Sequence, residues 1–216
     1  MIITRSMAPS SLNPMLRLFD EGKRFFVPIL EVPSRRVEKN KATPSVSNYT
    51  GLGGEVIHIP LGNGLPDAHQ IIANLNDLGE KFARMPVVRE FTVRVLGDSI
   101  GNNNLELQVT RVFQFVKDHV NYVRDPVWTE YVISPIRLIT IINNGMIPAG
   151  DCDDHVLLLN SMLGSIGFPT RSVGVKLMTG DRYDHVISQV KVRGTWKDLD
   201  PCAKERSQPD YLEKLI

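Results

Sequence analysis

The sequence predicts an α+β fold in which helices pack on a small antiparallel sheet, preceded by an extended amino-terminal arm. Hydrophobic residues recur at helical spacing between residues 67 and 166, then alternate with polar residues between residues 170 and 200. Residues 1–50 show no sustained hydrophobic period. Because 216 residues suit one core of ordinary size, we expect an arm over residues 1–50 and one domain over residues 51–216.

Composition excludes several classes of function. Acidic and basic residues nearly balance, and the formal net charge of +1 gives no overall field that favours nucleic acid or anionic lipid. No apolar run approaches the length that crosses a bilayer, and the start, MIITRSMAPSS, lacks the apolar stretch of a secretory signal. We therefore expect a cytoplasmic protein without nucleic-acid or membrane partners.

The two cysteines, Cys152 and Cys202, are too few for a disulfide framework in a chain of this length. A reducing compartment is the simpler interpretation, although a bridge between the two is compatible with the sequence. In a reducing compartment each thiol is inert, metal-bound or reactive.

The amino-terminal half is predicted to hold one strand and three helices after the arm. The apolar patch FFVPILEV in the arm is predicted to dock as a strand or bind a partner, with disorder as the alternative. GEVIHIP alternates and ends at proline, which favours a short edge strand. Three helical segments follow, the first capped by Asp67, and the second opened by Pro86 and ended by Gly97. The buried stripe expected in the first helix contains Ile71, Leu75 and Leu78.

The carboxy-terminal half is predicted to contain a loop, two helices and three strands. RDPVWTEYVISP is typical of an ordered loop, and PIRLITII of a short helix that ends near Asn143. In GDCDDHVLLLNSMLGSIGFP, the apolar residues after Cys152 predict a buried helix whose first turn contains that cysteine. Hydrophobic alternation then predicts the strands TRSVGVKLM, DHVISQVKV and TWKDLD, which completes the α+β pattern.

The position of Cys152 favours a reactive thiol. The unpaired backbone N–H groups and the dipole at a helix amino terminus favour a thiolate there. For a single cysteine, a small buried hydrophobic residue is the alternative interpretation. Asp151, Asp153 and Asp154 suit a first helical turn, yet their charge opposes ionisation of the thiol. Either a cationic His185 outweighs them, or deprotonation waits for substrate.

Strand register is predicted to bring this histidine to an acid. If a two-residue turn at residues 193–194 joins the second and third strands, Ile187 lies opposite Asp200. His185 then shares a face with Asp200 and lies diagonal to it, roughly 7–8 Å away at the backbone. The carboxylate can orient the imidazole while the other ring nitrogen faces a thiol. Asp198 shares that face and is the alternative, but Asp200 is preferred because it ends the strand.

A structural zinc site is the alternative chemistry for the same residues. Cys152 and His155 have ligand spacing, and His185 and Cys202 would complete four ligands. Pairs this far apart in the sequence are weak indicators of a metal site. We therefore expect neither a metal nor another cofactor.

Three segments together, GDCDDHVLLLNSMLGSIGFPTR, DHV and WKDLDP, resemble the transglutaminase-like superfamily, in a bacterial or prophage-type branch. The resemblance extends over about residues 60–201 and implies a papain-like α+β fold. It also implies a catalytic triad in which Cys152 is the nucleophile, His185 the general base and acid, and Asp200 the orienting acid.

Such a resemblance implies thiol-dependent acyl chemistry on an amide bond, by hydrolysis as in a protease or amidase, or by transfer to an amine, unless the activity has been lost. Protein or peptide is the expected substrate. A second hypothesis is a structural or assembly role in a phage or prophage particle, in which the arm of residues 1–50 binds neighbouring subunits. The residues expected to line an acyl groove, with core packing as the alternative, are Trp128, Tyr131 and Trp196.

Overall fold

The computed structural model describes residues 45–49, 54–59, 68–125, 130–176, 183–203 and 213–216. Most of the predicted arm lies outside these ranges, as do the predicted cap Asp67 and the predicted groove residue Trp128. The assembly role of the arm therefore stays a prediction. Within the described ranges the chain forms five α-helices and nine strands, which confirms the α+β prediction.

Five helices and one 3₁₀ segment build one side of the domain. Pro86 opens its helix at the position where a missing backbone N–H costs nothing, and Gly97 ends that helix with φ of 52°, as predicted. The bounds are α1 (Ala68–Ala83), α2 (Pro86–Leu96), a 3₁₀ segment (Gly97–Asn102), α3 (Leu105–His119), α4 (Pro135–Asn143) and α5 (Cys152–Ser165).

The buried stripe of α1 differs slightly from the prediction. Leu75 is buried, but Ile71 and Leu78 are only partly buried. The residues that α1 does bury are Ile72, Leu75, Gly79 and Phe82. The helix is thus rotated by about one position from the expected face, because glycine contributes to the buried stripe and hydrophobicity alone does not reveal it.

The strands form three small sheets. The first is antiparallel with order β1-β2-β4, the second is a parallel pair of β3 and β5, and the third is antiparallel with order β8-β7-β6-β9. The bounds are β1 (Ser45–Tyr49), β2 (Gly54–Ile59), β3 (Asn121–Tyr122), β4 (Glu130–Ile133), β5 (Ala149–Gly150), β6 (Thr170–Lys176), β7 (His185–Val192), β8 (Thr195–Leu199) and β9 (Glu213–Leu215).

Two predictions about the first sheet are wrong. The strand in GEVIHIP, β2, is the central strand of its sheet, not an edge, because β4 pairs with its second side. The segment predicted as an ordered loop contains β4 at Glu130–Ile133. Both errors have one cause: the two strands pair across more than 70 residues of chain, and a four-residue strand carries no readable period.

Helix α5 is the centre of the domain. Every residue from Asp153 to Leu163 is buried, and the helix packs against α1, α2, α3, β6 and β7. Its buried Asn160 binds both neighbouring strands: Nδ2 donates to Ser172 Oγ at 3.1 Å, and Oδ1 accepts from Ser188 Oγ at 2.5 Å. These bonds fix α5 against the four-stranded sheet. Among the helices described, none combines the length and the apolar character that a bilayer span requires.

Candidate active site

The hairpin of β7 and β8 has the predicted register. Arg193 and Gly194 form its two-residue turn with φ of 49° and 86°, the left-handed values that such turns favour. Val192 pairs with Thr195, and the ladder continues to Ser188 opposite Leu199. Asp200, the residue directly after β8, therefore lies level with Ile187, near the start of β7.

His185 and Asp200 meet as this register requires. The imidazole Nε2 lies 2.9 Å from Asp200 Oδ2, and the two side chains are 10% and 2% exposed. Asp200 Oδ1 accepts a second bond, at 2.9 Å, from the backbone N–H of Cys202. Both carboxylate oxygens are thus held, and Nδ1 is the ring nitrogen left to exchange a proton elsewhere.

Asp198, the alternative partner, is committed to other groups. Gln189 Nε2 donates to Asp198 Oδ1 at 2.6 Å, and Lys214 Nζ forms an ion pair with Oδ2. Gln189 is itself held by Arg171, whose Nε donates to Oε1 at 2.8 Å. Asp198 therefore belongs to a polar row along the sheet, and Asp200 is the acid that contacts His185.

Cys152 is the first residue of α5, as predicted, and is partly buried. The preceding segment is held by the parallel pairing of β3 and β5, in which Asn121 N–H donates to Pro148 O and Val123 N–H to Gly150 O, each at 2.9 Å. These backbone hydrogen bonds therefore fix the path of the chain into α5. The cysteine lies where N–H groups of the first helical turn have no partner within the helix.

The Asp154 side chain binds the backbone on the buried side of this turn. Its fully buried carboxylate accepts the Ile133 N–H at 2.6 Å through Oδ1 and the Asp151 N–H at 3.1 Å through Oδ2. It thereby links β4 to the residue before Cys152. A Cβ on Gly150 would lie 2.3 Å from Asp154 Oδ2, so only glycine allows this approach.

Asp153 and Asp151 complete a compact acid cluster. Three carboxylate oxygens, one each from Asp151, Asp153 and Asp154, lie within 4.8 Å of one another. Burial, followed by the charges of neighbouring aspartates, raises the pKa of both Asp153 and Asp154 well above the usual range. Within the described part of the chain no donor reaches Asp151 Oδ1 or Asp153 Oδ2. A proton on one of these carboxyls lets it donate to the other.

Cys202 lies near both halves of the site. Burial raises the pKa of its thiol far above the usual range, and the charges of Cys152 and Asp200 add to the effect. Cys202 therefore stays a protonated thiol, and its surroundings include both the candidate nucleophile and the candidate orienting acid. Both cysteines are free thiols, so the disulfide that the sequence left open does not form between them.

Tyr122 and Arg124, which the sequence prediction missed, lie beside Cys152. Tyr122 is 46% exposed and pairs with Gly150, two residues before the cysteine. Burial raises the pKa of Tyr122 and a hydrogen bond from Arg124 opposes it, while charge on Cys152 acts on both side chains. Both side chains belong to the segment NYVRDP, and no periodic pattern in the sequence places that segment at the start of α5.

The residues expected to line a groove are dispersed. The Trp196 ring lies under the Arg171 guanidinium at 4.3 Å, at the end of β8 away from Asp200. Tyr131 is partly buried, and its backbone N–H donates to Asp125. With Trp128 outside the described residues, a common groove for the three stays a prediction.

The geometry does not support the zinc alternative. His155 is buried and turns Nδ1 to Asp151 O at 2.6 Å and Nε2 to Val120 O at 3.1 Å, so neither nitrogen points to a shared ligand position. Among the described residues, the possible metal ligands that lie close together are Asp151, Asp153 and Asp154. Within that part of the chain, Cys152, His185 and Cys202 form no such group with His155.

An α+β fold with a cysteine at the start of its central helix and a histidine–aspartate pair on a hairpin is the arrangement expected of a transglutaminase-like domain. Residues 95–201 match the family model of the transglutaminase-like superfamily, and this region of the chain is a transglutaminase-like domain. The bacterial or prophage-type branch stays a prediction.

Two solved structures are similar over part of the chain. One, titled as a candidate protease from Parabacteroides distasonis, shares 18% identity with a TM-score of 0.47 over 62% of this chain and 26% of its own. Another, titled as a candidate cysteine protease from Cytophaga hutchinsonii, shares 14% identity with a TM-score of 0.42 over 74% of this chain and 61% of its own. The chain thus spans only part of either protein, and likeness at this level carries no argument about function. No curated protein matches the chain.

Proposed function

We propose that this protein is a thiol-dependent enzyme that acts on amide bonds of a protein or peptide, with Cys152, His185 and Asp200 as its triad. The observation that carries the proposal is the 2.9 Å hydrogen bond between His185 Nε2 and Asp200 Oδ2, both largely buried. An imidazole held this way by a carboxylate has a fixed tautomer and orientation, which is what a general base needs.

The first half of the reaction forms a thioester. Cys152 Sγ attacks the amide carbonyl carbon and His185 takes the thiol proton, while the backbone N–H of Cys152 stabilises the oxyanion. The C–N bond then breaks, and the departing amine takes the proton from His185. Asp200 stabilises the imidazolium between these two events.

The second half regenerates the thiol. Water or an amine attacks the thioester carbon, gives its proton to His185, and expels Cys152, which recovers that proton. Attack by water makes the enzyme a protease or amidase, and attack by an amine makes it an acyltransferase. The acceptor depends on which nucleophile reaches the thioester over the exposed surface of Tyr122, Val123 and Arg124 beside Cys152.

Cys202 provides an internal control for the test. Its raised pKa keeps it protonated, so a thiol-selective electrophile should ignore it. The full chain is treated with iodoacetamide near neutral pH, and the labelling rate of each cysteine is followed by mass spectrometry. We expect rapid labelling of Cys152 over Cys202 and its loss in His185→Ala.

Equal, slow labelling of both cysteines, or fast labelling of Cys152 that survives in His185→Ala, contradicts the proposal. The variant Cys152→Ala fixes the background from Cys202. A peptide library incubated with wild-type protein, with and without an added primary amine, then separates hydrolysed from amine-linked products.

A further inference from the structure

Strand β3 has one bonded edge and one open edge. Asn121 N–H donates to Pro148 O, and Val123 N–H donates to Gly150 O, so these two residues face β5. Backbone groups of successive strand residues point to opposite sides of the strand. The N–H and C=O of Tyr122 therefore point away from β5, and no residue that the structure describes forms a backbone bond with them.

The open edge of β3 lies at the surface. Residues 121–124 are all exposed, and the side chains of Tyr122 and Val123 are large. Among the described strands, none pairs with this second side of β3. An exposed strand edge presents N–H and C=O groups with which another extended chain can pair.

This edge lies close to the candidate nucleophile. Tyr122 is level with Gly150, two residues before Cys152, and its ring lies 6.2 Å from the ring of His155 in the first turn of α5. A chain added to the open edge would lie about 4.8 Å from β3, and therefore about 10 Å from β5. Three extended residues, at about 3.3 Å each, cover that distance. A peptide paired with Tyr122 can thus bring one of its carbonyl groups to Cys152.

The substrate class of the proposed function has the chemistry that matches this edge. Each residue of an extended peptide offers one N–H and one C=O, which complement the two free backbone groups of Tyr122. The acyl part of the substrate stays on Cys152 through both halves of the reaction, whereas the leaving amine departs. Fixed positioning therefore matters most for the acyl part.

From this geometry we propose that the acyl part of the peptide substrate binds as an added strand on the open edge of β3. One of its residues, within about three residues of the scissile bond, donates its N–H to Tyr122 O and accepts the Tyr122 N–H. Because both bonds use backbone groups, binding here requires an extended peptide and does not depend on the side chain of that residue. The inference rests on the proposed function, which supplies the peptide substrate.

Two electrophiles of different length test the edge on the full chain. Acetyl-tetra-alanyl chloromethyl ketone is long enough to pair with Tyr122, whereas acetyl-alanyl chloromethyl ketone presents a single residue. In both, the thiolate sulfur displaces chloride and forms a C–S bond. Mass spectrometry follows the rate at Cys152, with Cys152→Ala as the background from Cys202. The ratio of the two rates reports binding at the edge, because the reactivity of the thiol cancels.

Two substitutions of Tyr122 separate its backbone from its side chain. Tyr122→Pro removes the N–H on the open edge and keeps the bonds between β3 and β5, since an edge strand tolerates proline where the N–H faces solvent. Tyr122→Ala removes the side chain and keeps the N–H. We expect the rate ratio in Tyr122→Pro to be roughly tenfold lower than in Tyr122→Ala, because a peptide carbonyl loses its donor. Equal ratios in the two variants overturn the proposal.

The wild-type protein gives a second measurement that needs no substitution. Four forms of the longer electrophile each carry a methyl group on a different backbone nitrogen. We expect methylation at one position to slow the alkylation of Cys152 roughly tenfold, because that N–H no longer donates to Tyr122 O. A profile that does not depend on position overturns the proposal, even if Tyr122→Pro fails to fold.

Failure of the proposed function gives a different result. If Cys152 reacts as slowly as Cys202 with both electrophiles, the thiol enzyme is contradicted. The edge is then decided by ¹⁵N spectra of Cys152→Ala titrated with acetyl-tetra-alanine amide. A shift of the Tyr122 amide signal supports binding at β3, and an unchanged signal at millimolar peptide overturns it.

Discussion

The two segments that form the candidate site are built in different ways. His185 begins β7 and Asp200 directly follows β8, and the two side chains meet because of the local register of this hairpin. At the start of α5 the acids lie close together, and side chains of the first turn contact distant backbone: Asp154 accepts the Ile133 N–H, and His155 Nε2 faces Val120 O. The position of His185 therefore depends on one local hairpin, whereas the position of Cys152 depends on contacts between segments that are distant in the sequence.

The largest expected loss of stability at the start of α5 comes from a side chain that enters the space of Asp154. In Gly150→Ala the new methyl group would lie 2.3 Å from Asp154 Oδ2. We expect a loss of about 3 kcal/mol in the free energy of unfolding, because overpacking is joined by the loss of buried hydrogen bonds. Urea denaturation measures it. As a control, Gly79→Ala meets only Asn160 Cβ at 3.7 Å, in helix α1, and should leave stability unchanged or slightly raised. Equal losses in both would contradict this account.

Separate substitutions of Asp200 and Asp198 test which acid of the hairpin orients His185. In Asp200→Asn, Oδ1 can still accept from Cys202, but the amide nitrogen donates to His185 Nε2 and places the ring proton on Nδ1. His185 then no longer accepts the thiol proton, so we expect the labelling rate of Cys152 to fall by roughly tenfold to a hundredfold. Asp198→Asn should change that rate by less than about twofold, because Asp198 contacts Gln189 and Lys214 instead. The reverse order would reassign the orienting acid.

These contrasts also explain what the sequence could predict. The register of β7 and β8 follows from alternation and a two-residue turn, so Asp200 opposite Ile187 was predictable, as was the cysteine at a helix start. The bonds of Asp154 were not, because a side chain that caps the backbone of a strand 21 residues away leaves no periodic signal. Strands of two residues, such as β3 and β5, are likewise too short to show a hydrophobic period. The position of Tyr122, which lies in β3, was missed for the same reason.

The buried acids make stability depend on pH. Burial and the Asp154 charge raise the pKa of Asp153 in the folded protein, so the folded state holds a proton that the unfolded chain releases above about pH 4. This contribution to stability is therefore lost as pH rises from that value through the folded pKa. In Asp153→Asn, Oδ1 still accepts the Asp154 N–H, and the amide donates to Asp151 Oδ1.

We expect Asp153→Asn to be more stable than wild type by about 1 kcal/mol near pH 8 and about equal to it near pH 4.5. Urea denaturation across that range measures the difference, with Asp118→Asn on the exposed surface of α3 as control. A constant difference between variant and wild type at all pH values would show that Asp153 does not titrate between folded and unfolded states.

The smallest expected effect concerns the turn of the hairpin. Arg193 holds φ of 49°, where asparagine is favoured over arginine. Arg193→Asn should therefore stabilise the protein by about 0.5 kcal/mol, seen as a small rise in Tm, without altering the labelling of Cys152. A lower Tm would indicate that the Arg193 side chain contributes contacts that outweigh backbone strain.

The pH dependence of Cys152 alkylation tests the triad most directly. In wild-type protein we expect the rate to rise with an apparent pKa below the ordinary thiol value of about 8.5, because His185, held by Asp200, takes up the thiol proton. In His185→Ala the midpoint should move up to or above that value. Identical profiles in the two proteins would show that Cys152 and His185 do not act together.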